Sequence, residues 1–172
     1  MRILGLDPGY AILGWGVVDF AGSKVTPVAF GAVTTEAGTP MPERLNVLYQ
    51  GVMEIAAAYE PEIAAIEELF FNTNVTTAIG VGEARGVCIL ACNNSGMEIA
   101  EYTPGQIKQA LTGYGKADKQ QVQFMVQQML RLKEIPKPDD TADALAAAIC
   151  HGYSAMGTGS GLLEKLKEQG YL

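Results

Sequence analysis

The sequence predicts a single α/β domain in which helices flank a five-stranded sheet. Two short apolar runs, Arg2-Ile3-Leu4-Gly5-Leu6-Asp7 and Ile63-Ala64-Ala65-Ile66-Glu67, each end in an acid and are apolar enough to be central strands. Further β-compatible runs follow the first of them, and helix-period segments occupy most of the remainder. A chain of 172 residues with 48% apolar content makes one domain with a sizeable core and leaves no room for a second catalytic domain.

The elements follow in order. Pro8-Gly9 closes the first run, so Asp7 is expected at or near the C-terminal end of a buried strand. Residues 13–20 and 25–34 predict two more strands joined by an Ala21-Gly22-Ser23 turn, giving a three-stranded antiparallel start. Gly14 and Gly16 mark close backbone approach beside the Asp7 turn, and Trp15 between them is a packing residue. Thr39-Pro40 opens a helix in which Leu45, Leu48, Val52 and Ile55 keep helical spacing until Pro61 stops it; it should cover one face of the sheet. After strand 63–67, residues 68–74 form a loop. Residues 76–92 then form a helix whose Gly80, Gly82, Ala84 and Gly86 permit close contact in the core or between subunits. Residues 97–102 are the fifth strand, and Thr103-Pro104 starts a helix with threonine as its cap. Val122, Met125, Val126 and Met129 mark an amphipathic helix beginning near Ala117. The last helix is expected over residues 141–156, after Pro136-Lys137-Pro138-Asp139-Asp140. A glycine-rich linker and a frayed C-terminal segment, 157–172, lie outside the 1–156 domain.

Cys88, Cys92 and Cys150 are odd in number and lack Cys-x-x-Cys spacing, which argues against a disulfide framework or zinc ribbon; burial as small hydrophobes is the expectation. Cys150 adjoins the single histidine, His151, which leaves a zinc site formally open. The start has no basic segment ahead of an uninterrupted apolar run, and no apolar stretch approaches the ~18 residues of a membrane span, so a cytoplasmic location is expected. The net charge of -7 speaks against non-specific coating of nucleic acid. Between Gly105 and Lys137, however, Lys108, Lys116, Lys119, Arg131, Lys133 and Lys137 outnumber Asp118 and Glu134. This stretch can contact phosphates, or it can be an ordinary solvated face.

Four carboxylates carry the chemistry. Asp7 and Glu67 close two strands of one sheet, while Asp140 and Asp143 open the last helix three residues apart and so share a face. For the helical pair alone a structural explanation competes, because an aspartate cap with an acid three residues on imitates a capping box and suits the helix dipole. Convergence with Asp7 and Glu67 points elsewhere: close carboxylates repel unless a cation neutralises them. Oxygen donors without histidine or thiolate suit Mg²⁺ or Mn²⁺ over Zn²⁺. Two such ions can activate a water and stabilise the leaving oxygen of a phosphodiester, so metal-assisted phosphodiester hydrolysis is the implied reaction. Glu68 and Asp139 are solvated neighbours that could also enter the metal shell.

Several ordered motifs resemble one family. Leu4-Gly-Leu-Asp-Pro-Gly9, Ala65-Ile-Glu67 followed by Phe70, Gly82-Glu-Ala-Arg-Gly86, Tyr102-Thr-Pro-Gly-Gln-Ile-Lys108, Gly115-Lys-Ala-Asp-Lys119 and Asp140-x-x-Asp143-Ala-Leu-Ala are similar to the RuvC Holliday-junction resolvases over roughly residues 1–156. The resemblance implies a mixed five-stranded RNase H-like sheet and a homodimer. It also implies symmetrical nicking of four-way DNA junctions in recombination and repair, dependent on Mg²⁺, with two ions when DNA is bound and Mn²⁺ as a substitute. It places Asp7, Glu67, Asp140 and Asp143 at the family's metal positions and implies phosphate contacts from Lys108 and Lys119, with Lys116 in the same motif. Phe70 would stack on or wedge into bases, and a branch-migration helicase would be a partner. Arg85 would serve structure or the dimer. Glu68 stands where an uncharged glutamine is expected, and the acidic total departs from a typical DNA enzyme. Rival functions are a junction-binding protein that does not cut, an RNase H-like nuclease on RNA or simple duplex DNA, and a sugar-kinase or actin-like ATPase, which would need two lobes where this chain has room for one.

Overall fold

The computed structural model describes residues 1–69 and 75–156; residues 70–74, most of the expected loop, and the 157–172 segment lie outside them. The chain runs β1 (Arg2–Pro8), β2 (Ile12–Ala21), β3 (Lys24–Thr34), α1 (Met41–Tyr59), β4 (Ile63–Glu67), α2 (Val75–Asn94), β5 (Glu98–Tyr102), α3 (Pro104–Thr112), α4 (Lys119–Met129) and α5 (Asp139–Ala155). The sheet has the order β3-β2-β1-β4-β5, antiparallel across β3, β2 and β1 and parallel across β1, β4 and β5. The central strands β1 and β4 are apolar and largely buried, as expected for parallel strands covered on both faces, whereas the edge strand β5 carries Glu98 and Glu101 and buries no residue fully.

Two cores result. On one face α1 and α2 bury Leu4, Leu6, Val17 and Ile66 beneath Leu48, Val52, Ala84 and Cys88. On the other, α3, α4 and α5 cover Ile3, Val18 and Ala65 with Ile107, Val126, Leu145 and Ile149. Trp15 packs at 5.8 Å from the Tyr59 ring in the first core.

α5 lies directly on the middle of the sheet because glycines let it. A Cβ on Gly5 would run into the Ala144 carbonyl, and one on Gly14 into the Asp140 carbonyl and the Thr141 amide. The obstructing atoms are backbone, so no rotamer change could relieve the overlap. Gly14 pairs across the ladder with Asp7, so the gap left by its missing side chain seats the start of α5 beside that acid. Thr141 completes the docking by donating from Oγ1 to the Gly31 carbonyl at 3.0 Å.

Helix starts show where local chemistry is decisive. Thr103 and Gln106 form a reciprocal capping box at α3, and Asp118 with Gln121 forms another at α4, so α4 begins at Lys119 rather than near Ala117. α5 begins two residues earlier than expected: Pro138 occupies the cap position without a side-chain cap bond, and Asp139 and Asp140 lie in the first turn. The capping-box explanation for Asp140 and Asp143 therefore fails, and both side chains are left for other work.

Candidate active site

The last paired positions of β1 and β4, Leu6 and Ile66, put Asp7 and Glu67 one step further along adjacent parallel strands, at the C-terminal end of each. α5 brings Asp140 and Asp143 over the same end. The four acids sense one another: burial first, then the charges of Asp143, Glu67 and Asp140, push Asp7 up to about 7. Burial and Asp143 raise Glu67, against the pull of Lys108 and Lys119. Asp143 is also raised, chiefly by burial, although Lys119 opposes it.

Lysines answer part of this negative charge. Lys119 Nζ stands 2.9 Å from Asp143 Oδ2 and 3.8 Å from Asp139, and Lys137 pairs with Asp139 at 2.7 Å. Desolvation lowers the Lys119 ammonium, but its hydrogen bond to Asp143 and the surrounding acids outweigh that and leave it raised. Lys108 lines a cleft of about 60 Å³ together with Glu67, Asp143 and the apolar Ile107 and Val122. Lys116 is exposed in the turn before α4. Phe70 lies outside the described residues.

An all-oxygen donor set with raised carboxylates fits a hard divalent cation. As the side chains stand, no three His, Cys, Asp or Glu groups among the described residues are gathered closely enough to cage an ion. Asp143 is instead turned to the Lys119 ammonium, which supplies the positive charge locally. The mutual charge coupling carries more weight here than the lack of a closed cage, because carboxylate rotamers adjust on binding while the strand and helix positions do not.

The sign of the Asp7 shift has two consequences. Between the ordinary carboxylate value and about 7 the folded chain holds a proton that the unfolded chain has released, so this group's contribution to stability falls as pH rises through that window. A cation must displace that proton. Mn²⁺ affinity of the free protein should therefore fall about tenfold for each pH unit below 7 and level off above it. Calorimetric titration on either side of pH 7 checks this, and a pH-independent affinity would contradict it.

Other groups near the site were visible in the sequence, but their contacts were not. Arg85 of α2 donates from Nε to the Glu67 carbonyl at 3.3 Å and from Nη2 to the Glu101 carboxylate. The Tyr102 hydroxyl meets His151 Nδ1 at 2.8 Å. One ring nitrogen of His151 is thus engaged by β5, and burial pushes Cys88, Cys92 and Cys150 up to about 12, so these thiols are inert.

Comparison with known proteins agrees with this architecture. The family described as crossover junction endodeoxyribonuclease RuvC matches residues 3–151. A crossover junction endodeoxyribonuclease RuvC from Caldanaerobacter subterraneus subsp. tengcongensis is 55% identical over 166 residues, 96% of this chain and 98% of that protein. One from Rubrobacter xylanophilus is 59% identical over 152 residues, 88% of this chain and 85% of the relative. Among solved structures, T. thermophilus RuvC in complex with Holliday junction substrate superposes with a TM-score of 0.87 at 38% identity, covering 92% of this chain and 97% of the other. The yeast mitochondrial Holliday junction resolvase, at 12% identity and a TM-score of 0.65, shares the fold. With acids at two strand ends and on the helix seated over them, and with likeness running nearly the full length of both chains, the protein belongs to the RuvC family of crossover junction endodeoxyribonucleases.

Proposed function

We propose that the protein resolves four-way DNA junctions by hydrolysing phosphodiester bonds at symmetry-related positions on opposing strands, in recombination and repair. Asp7, Glu67, Asp140 and Asp143 hold Mg²⁺, two ions when DNA is bound, with Mn²⁺ able to substitute. The observation that carries this is the placement of Asp7 and Glu67 at the ends of adjacent parallel strands, with Asp140 and Asp143 in the opening turns of the helix seated over them; the upward shift of Asp7 by burial and by these acids accords with it. When bound, the cations supply Lewis acidity toward the scissile phosphate and its attacking water. The chain's own groups do the rest. Asp7 gives up its proton and presents a charged oxygen at the strand end. Lys119, on an exposed stem, neutralises Asp143 in the isolated protein and is within reach to turn toward a phosphate oxygen. Lys108, at the cleft beside Glu67, is placed to hold the phosphate on the other side.

The DNA-binding surface lies around α3 and α4. Lys116, Lys133 and Lys137 are exposed there, and Tyr114 and Phe124 present rings that are 58% and 51% exposed. Lysines interleaved with exposed aromatics suit a backbone with unstacked bases. This local surplus explains how an acidic protein engages DNA. Phe70 is proposed to stack at the junction centre.

The protein works as a homodimer whose two-fold axis matches that of the junction. The outward side of α2 supports this: Ile79 and Leu90 are 64% and 52% exposed, and a Cβ on Gly82 or Gly86 would meet nothing among the described residues. Glycines that no neighbour among the described residues demands leave room for a second backbone. A cytoplasmic location and a branch-migration helicase as partner complete the proposal; no helix among the described residues is long and apolar enough to cross a membrane.

Cleavage of matched linear, forked and four-way DNA in Mg²⁺ tests the assignment. Paired nicks confined to the four-way substrate are expected, together with sedimentation as a dimer. Equal cutting of all three would instead favour a nuclease of broader substrate range.

A further inference from the structure

Among the described residues, two contacts hold the end of β4 where Glu67 sits, one from β5, itself tied to α5, and one from α2. The Glu68 amide extends the ladder to the Tyr102 carbonyl at 2.8 Å. The Tyr102 hydroxyl is tied in turn to His151 on α5, the helix that carries Asp140 and Asp143. The second contact comes from α2. Arg85 spans from the Glu67 carbonyl to the Glu101 carboxylate on β5, and only 16% of its side chain is exposed.

Burying most of a guanidinium is costly unless its charge is paired and its donors are used. Anchoring α2 to the sheet does not require it, since Ala84 and Cys88 on the same helix do that by apolar contact. What the guanidinium adds is a rigid planar fork that satisfies a carbonyl and a carboxylate at once, which neither an ammonium nor an apolar group can do. One of those acceptors is the carbonyl of Glu67 itself. Fixing that peptide plane fixes the direction in which the Glu67 side chain leaves the strand.

We propose that Arg85 is a positioning residue for Glu67: it pre-orders this acid from behind, so that a cation does not have to order it on entry. The proposal rests on the assignment of Glu67 as a cation ligand made above. It places the Gly-Glu-Ala-Arg-Gly segment at the cutting centre through its inward side, while the outward side of the same helix faces the proposed subunit partner. A held ligand costs less to order on binding, and removing such a support loosens both the ligand and the ion.

Arg85→Gln removes the charge and the fork; Arg85→Lys keeps charge and stem but cannot reach both acceptors. Each should raise the Mg²⁺ concentration for half-maximal cutting roughly tenfold, the lower end of what outer partners of metal ligands contribute. Junction binding in Ca²⁺ should stay unchanged. On the free protein, calorimetric Mn²⁺ affinity should drop by the same factor, and the Glu68 amide should exchange faster with deuterated solvent. Glu101→Gln alters a more exposed side chain and keeps the test available whatever the Arg85 variants do to folding; it should shift Mn²⁺ affinity in the same direction. Wild-type Mn²⁺ affinity and Mg²⁺ midpoint in folded Arg85→Lys and in Glu101→Gln would overturn the proposal. Glu67→Gln run alongside separates the two levels. If it cuts normally, the role of Glu67 itself is wrong; if it is inactive while the Arg85 and Glu101 variants behave as wild type, the positioning role alone fails.

Discussion

Asp7→Asn should all but abolish junction cutting in Mg²⁺ while leaving junction binding in Ca²⁺ intact, and it should make the protein more stable. The loss in rate should exceed the roughly 100-fold that follows when a mere supporting partner of a metal ligand is removed. Asparagine keeps the shape of the side chain and removes the charge that a divalent cation needs. The stability gain follows from the same electrostatics. Burial and the charges of Asp143, Glu67 and Asp140 raise Asp7, so its ionised form opposes folding near neutral pH. Relieving about 1 kcal/mol or more of that opposition raises the melting temperature by about 2–4 °C per kcal/mol in a chain of this size. Opposite signs for activity and stability are the signature of a site that is strained for function. A structural aspartate would lose both together. Thermal melts in Mg²⁺-free buffer near pH 8, beside single-turnover cleavage, measure the two effects on one preparation.

Gly14→Ala should lower both stability and cutting, although residue 14 carries no functional group. Its Cβ would occupy the place of the Asp140 carbonyl and the Thr141 amide, and backbone cannot rotate aside as a side chain can. Overpacking of this kind costs about 1–3 kcal/mol. The chain can respond by lifting the start of α5 off β2, and this moves Asp140 away from Asp7, the ladder partner of Gly14. A displacement of about 1 Å at a catalytic group is enough for a loss on the order of 100-fold. Cutting should therefore fall much further than the modest drop in melting temperature would suggest. A variant that loses stability but cuts at the wild-type rate would show that α5 tolerates the shift and that its seating does not set the site.

Much of this arrangement was legible in the linear sequence. The acid-terminated runs at Asp7 and Glu67 appear as strands because a short apolar run closed by Pro8-Gly9, and another opened by Pro61-Glu62, have few alternatives. Gly14 and Gly16 announced close approach for the same local reason: glycine inside a strand weakens it unless something must pass near. The start of α5 was less legible. Asp140 three residues ahead of Asp143 fits a capping box as well as a metal site, and only the position of Pro138 as cap, with no side-chain cap bond, separates the two. Least visible were the contacts between distant elements. Lys119 and Asp143 meet because α4 packs beside α5, and Arg85 meets Glu67 and Glu101 across α2, β4 and β5. Such pairs follow no periodicity, since they depend on where whole helices are seated rather than on spacing within one. The exposed Tyr114 and Phe124 belong to the same class, because an aromatic in an amphipathic segment reads equally well as core.

The central claim is that acids far apart in the chain share a cation. The most direct measurement is the anomalous scattering of Mn²⁺ in crystals of the protein with an uncut junction. A strong peak is expected between Asp7 and Glu67, with a carboxylate from the first turns of α5 completing the shell and Lys119 withdrawn from Asp143. A peak held by other residues, or none there at saturating Mn²⁺ with Lys119 still on Asp143, would contradict it.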